Sequence, residues 1–177
     1  MKKLLLLFIT SILLLSGCGT LSANAVANPY EIKVGSKILS LYDDTKETFE
    51  ENGFEVFEVP DNYTKCENNN ISYRSYTESN DVCNISICSS DIITYKGISV
   101  GDNVKKLEQC FTKLQGEDDH TFQGAYIVSF NAEAEEIDSI KNLDENEKGV
   151  VLWYDTDDNS TITRIYIYDI KNMKTGI

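Results

Sequence analysis

Five cysteines and a single histidine are the side chains of this 177-residue chain best suited to nucleophilic, redox or metal chemistry, and their spacing decides which of these is open to them. Zinc sites gather cysteines as C-x2-C pairs or add histidines, but Cys66, Cys83, Cys88 and Cys110 show no such spacing and His120 stands alone. Thiol catalysis needs a base within hydrogen-bond reach, and His120 sits in the polar run Gly116-Glu117-Asp118-Asp119-His120 beyond Cys110. It reads as an exposed loop histidine. Asp155, Asp157 and Asn159 fall at the first, third and fifth positions of a calcium loop, yet Ser160 stands where that loop needs glycine and Tyr166 where it needs a bidentate acid. They read as a solvated hairpin turn. No H-E-x-x-H, G-x-S-x-G, S-x-x-K or phosphate-loop motif occurs. The residues therefore give no catalytic group, no metal ligand and no cofactor, and the chain is not expected to be an enzyme.

Cys18 has a more specific setting. Lys2 and Lys3 precede a largely apolar run over residues 4–15, which as a helix would rise only about 18 Å and fall short of the roughly 20 residues that span a bilayer. A basic start, a short apolar stretch and small residues before a cut describe a secretory signal. The tetrad Leu15-Ser16-Gly17-Cys18 resembles the lipobox of bacterial lipoproteins. That resemblance implies diacylglycerol in thioether linkage on Cys18, cleavage between Gly17 and Cys18, and a protein anchored on the extracytoplasmic side of a bacterial cell membrane. Ala23-Asn24-Ala25 offers a competing signal-peptidase site that would release the chain without lipid. The expected order is a signal peptide over 1–17 and a lipidated tether over 18–29, with folded structure from about Tyr30.

Removing residues 1–17 takes away two of the sixteen cations and none of the acids, which moves the formal charge from −13 to −15. Such a chain lacks the clustered cations that nucleic acid or anionic headgroups require, so membrane affinity must come from the acyl chains. Cysteines left in an even number, beyond an oxidising boundary, point to disulfides among Cys66, Cys83, Cys88 and Cys110, with three connectivities open.

The elements that would position these residues follow from periodicity. Ile32-Lys33-Val34-Gly35 recurs as Ile98-Ser99-Val100-Gly101, which suggests two related halves, 30–94 and 95–177. In the first half, Gly35-Ser36 between apolar runs predicts a tight hairpin. Thr45 and Gly53 bracket a short helix over 45–52, residues 54–59 read as extended, and 71–77 with 82–89 read as a second hairpin. In the second half, Val104, Leu107, Phe111 and Leu114 share one face of a helix over 102–114. A strand over 125–130 and a helix within 131–143 follow. The chain closes with strands over 149–155 and 162–169, where Ile165 and Ile167 face one way and Tyr166 and Tyr168 the other.

Headed by Ile98-x-Val100-Gly101-Asp102, this order of helix, strand and closing hairpin resembles the small modules of the SmpA/BamE and beta-lactamase-inhibitor-protein type. The resemblance covers 95–170 well and 31–90 loosely, and implies an α+β fold: an antiparallel sheet with short helices packed on one face, which works by binding other proteins. Tyr73, Trp153, Tyr166 and Tyr168 are then the candidate binding face, since aromatic residues anchor interfaces; alternatively they pack beneath a helix. The expected function is a membrane-anchored binding module with a protein partner. The alternatives are an inhibitor or envelope-stress sensor, or a hydrolase with no recognisable motif.

Overall fold

The computed structural model describes residues 25–52, 55–59, 63–68, 71–76, 82–115, 124–138 and 148–170, with the backbone alone for 46, 50, 55–59, 63–68, 71–76 and 82–83. The expected signal peptide over 1–17, Cys18, Gly53 and His120 lie outside the described residues, as do the side chains of Cys66, Cys83 and Tyr73.

The architecture is rich in antiparallel strands, with two short helices among the described residues. In chain order the elements are β1 (Glu31–Val34), β2 (Lys37–Ser40), α1 (Lys46–Glu51), β3 (Glu55–Val59), β4 (Tyr63–Asn68), β5 (Ile71–Tyr76), β6 (Val82–Ile87), β7 (Ile92–Ile93), α2 (Val104–Cys110), β8 (Ala125–Asn131), β9 (Glu136–Ile137), β10 (Gly149–Thr156) and β11 (Ile162–Asp169). Eight of these strands form one sheet in the order β3-β4-β5-β6-β11-β10-β8-β9, and a smaller sheet runs β2-β1-β7. No described helix is long and apolar enough to cross a membrane.

Alternation in β10 and β11 sorts residues between two faces. Leu152 pairs with Ile167 and Val128, and Ile167 pairs with Ile85; all four are buried, at 1% exposure or less. This row is the inner face. Phe111 at the end of α2 lies 6.0 Å from Phe130 and 6.1 Å from Tyr154, ring centre to ring centre, and Phe49 of α1 joins the same core. Tyr154 is fully buried and its hydroxyl has no hydrogen-bond partner.

The Gly35-Ser36 turn forms as expected: Val34 pairs with Lys37, and Gly35 takes φ +62°, the left-handed region that glycine enters without steric cost. The second Val-Gly motif makes a different device. Gly101, at φ +93°, donates its N–H to the Ile162 carbonyl at 2.8 Å, and the Ile162 N–H returns to the Asp102 carbonyl at 2.9 Å. The Asp102 carboxylate accepts from the Ser99 N–H and from Lys106. The motif thus fixes the entry of α2 against the first residue of β11.

Four expectations need correction. Helix α2 is shorter than 102–114: it starts after Asn103, whose side chain caps the Lys105 N–H, and ends where Phe111 turns extended at φ −122° and ψ 139°. Val104, Leu107 and Phe111 are buried as the stripe predicts, and Leu114 reaches the core from beyond the helix. In the acidic stretch, 131–138 forms a turn and β9 in place of the start of a helix. The Asn131 side chain accepts from the Glu133 and Glu135 N–H groups, and Ala134 is left-handed at φ +62°, so local side-chain bonds displace the helical ladder. Strands β4 and β7 were not expected at all. Finally, folded structure begins earlier than Tyr30. Val26 is buried and bridges Tyr95, while the Glu31 carboxylate accepts from the Ala27 and Asn28 N–H groups and the Asn28 amide.

Candidate binding face

The outer face of the large sheet carries the residues with the clearest potential to recognise a partner. Trp153 and Tyr166 are cross-strand partners, and Tyr168 follows Tyr166 by two residues, so pleating sends all three side chains to the face opposite Leu152 and Ile167. Tyr166 and Tyr168 stack with ring centres 5.5 Å apart and 19° between planes, and Trp153 meets Tyr168 edge-on at 6.4 Å. All three are half-buried. The Trp153 indole N–H donates to the Asp155 carboxylate at 2.8 Å, which fixes the ring along its own strand.

Arg164 extends the row by another two residues. Its guanidinium sits 5.7 Å from the Tyr166 ring centre, donates to the Tyr166 hydroxyl at 3.0 Å, and donates through Nε to the Cys88 sulfur at 3.1 Å. The bonds to Tyr166 and Cys88 hold the guanidinium still further in its charged state. Arg164 and Cys88 are both exposed. On this same face Val151, Ser129 and Asn84 are buried, at 1%, 4% and 7% exposure, so the open part lies along Trp153, Tyr166 and Arg164.

The structure therefore brings together three of the four candidate residues. Tyr73 holds a register position opposite Ile85 and Cys66, in the row that continues through Ile167 and Leu152 on the inner face. The alternation in β5 carries that signal, because Ser72 and Arg74 are the polar members of Ile71-Ser72-Tyr73-Arg74. Arg164 and Cys88 were missed as neighbours of the tyrosines. Arg164 was readable from its two-residue offset to Tyr166; Cys88, 76 residues away in sequence, was not.

The remaining chemistry-bearing residues have structural partners. One Asp157 carboxylate oxygen accepts from the Asn159 and Thr161 N–H groups, and Ser160 is left-handed at φ +59°, which makes the 157–160 segment a side-chain-capped hairpin turn. The Thr161 and Asn159 N–H groups also hold the Asp157 carboxyl below its usual range. Asp155 is taken by Trp153. Cys88 and Cys110 are free thiols, and burial pushes the Cys110 thiol up against the opposing pull of Lys96 and Lys106. Among the described residues no three His, Cys, Asp or Glu side chains gather to hold a metal ion.

No family model, curated protein or solved structure matches this chain.

Proposed function

We propose that this protein is an exported lipoprotein, anchored to the extracytoplasmic side of a bacterial membrane through acyl chains on Cys18, and that it binds a protein partner with the outer face of its sheet. The observation that carries the binding reading is the Trp153–Tyr168–Tyr166–Arg164 row. It combines aromatic residues with arginine, the residue types that most often anchor protein interfaces. The row is half-exposed and braced by Asp155 and by its own stacking, so a partner meets side chains already ordered. Support for the anchor is the sequence Leu15-Ser16-Gly17-Cys18 behind a short apolar run, and acyl chains hold a protein at about 0.8 kcal/mol per buried methylene. The finer architecture belongs to the same proposal: two related modules of the SmpA/BamE or beta-lactamase-inhibitor type, with both helices on the inner face. Its support is the shared core of Phe49, Leu107 and Phe111 with Ile85 and Ile167.

A photo-crosslinking amino acid placed at Tyr166 in intact cells should capture a discrete protein adduct, while the same group at the exposed Lys105 should not. Tyr166→Ala should weaken that partner's binding about thirtyfold, the ~2 kcal/mol expected of an interface anchor. Absence of an adduct from Tyr166 in a correctly folded chain rejects the binding face. Equal incorporation of a palmitate analogue by the wild type and Cys18→Ala rejects the anchor independently.

A further inference from the structure

Four cysteines follow residue 18, and the fold bears on every way of pairing them. Cys88 and Cys110 stand as free thiols, so the only pair left among these four is Cys66 with Cys83. Cys66 lies on β4 opposite Tyr73, and Tyr73 lies opposite Ile85 of β6, the strand that carries Cys83. Strand β5 therefore separates the two cysteines. Adjacent strands are about 4.8 Å apart, which sets β4 and β6 about 10 Å from one another, and Cys83 lies two residues further along β6 than Ile85, which lengthens the gap. A disulfide requires Cα atoms no more than about 6.8 Å apart.

The same geometry removes the pairings that involve Cys88. Cys66 and Cys88 are again separated by β5, since Cys88 directly follows β6. Cys83 and Cys88 lie along one extended stretch, five residues or about 16 Å apart at strand rise. Each of the three complete connectivities contains one of these forbidden bridges: Cys66–Cys83, Cys66–Cys88 or Cys83–Cys88.

We infer that no disulfide joins Cys66, Cys83, Cys88 and Cys110 to one another in the folded chain, so that all four stay thiols and stability comes from the core and not from cross-links among them. This holds whichever compartment the protein occupies and does not rest on the proposed binding face. Of the two cysteines whose side chains are described, Cys88 is exposed and Cys110 half-buried.

The test uses the Cys18→Ser chain, so that lipid does not complicate the mass, purified from an oxidising compartment without reductant. Alkylation in denaturant followed by intact-mass measurement should add four groups, and the thermal midpoint should not change when reductant is present. In the native state Cys88 should alkylate faster than Cys110. Non-reducing electrophoresis separates bridges within one chain from bridges between chains. A monomer with two or no alkylated cysteines, or a midpoint that falls by several degrees on reduction, overturns the inference.

Discussion

Glu136 joins three segments through one carboxylate. It accepts from Lys96 at 2.9 Å, from the Thr112 N–H and hydroxyl at 2.8 and 2.7 Å, and from the Lys113 N–H at 3.1 Å. Lys96 is itself left-handed at φ +55°, and its ammonium lies 4.6 Å from the Phe111 ring centre while donating to the Cys110 carbonyl. Burial pushes the Glu136 carboxyl up, but the bonds from Lys96 and Thr112 outweigh it and bring it down to about 2. A carboxyl depressed in the folded state stabilises most above its unfolded value near 4.5 and loses that contribution as pH falls toward 2. Glu136→Gln should therefore cost about 1 kcal/mol at neutral pH, after allowance for solvent screening, and nearly nothing at pH 2, as measured by urea unfolding at the two values. Equal cost at both would mean that shape and not charge holds the site. Tyr154 offers the opposite case. Its buried hydroxyl lacks a partner, so Tyr154→Phe should raise stability by about 1 kcal/mol; a fall would show that a bridging water satisfies that oxygen.

At the level of single elements, the join between Gly101 and β11 gives the sharpest prediction. Nothing crowds the position where a Cβ would stand, so Gly101→Ala isolates the backbone penalty of φ +93°. It should destabilise by about 1–2 kcal/mol in chemical denaturation, and Asn103→Ala by about 1 kcal/mol through loss of the α2 cap. Elements with a single strong period were legible in the sequence. In β11 Ile165 and Ile167 alternate with Tyr166 and Tyr168, which puts the two tyrosines on one face from the sequence alone. Strand β4 was not legible, because Tyr63-Thr64-Lys65-Cys66-Glu67-Asn68 offers no apolar face to recognise. The end of α2 was overrun because Leu114 continues the apolar stripe after the backbone has left the helix. The grouping of the aromatic residues was half legible for a related reason. Alternation sorts residues within a strand, whereas the register that sets Trp153 opposite Tyr166 and Tyr73 opposite Ile85 belongs to pairs of strands.

Across the whole molecule one apolar cluster draws on both parts of the chain. It includes Ile32, Leu39 and Phe49 beside Leu107, Phe130, Leu152 and Ile167. Tyr42 adds a polar tie, with its hydroxyl donating to the Gly149 carbonyl at 2.6 Å and lying 3.2 Å from the Asp169 carboxylate; burial and the Asp169 charge push that hydroxyl well above the usual tyrosine range. Leu107 is fully buried at the centre of this cluster, so Leu107→Ala should cost about 2–5 kcal/mol. Fluorescence of Trp153 and far-ultraviolet circular dichroism should still report one coincident transition. Separate midpoints would show two independently folding halves. The early start of the fold at Val26 has a mechanical consequence. A pull applied through the chain before Val26 meets the Val26–Tyr95 bridge and the Glu31 clamp on Ala27 and Asn28 first. These few bonds therefore form the fuse of the molecule, loaded before any hydrogen bond of the large sheet.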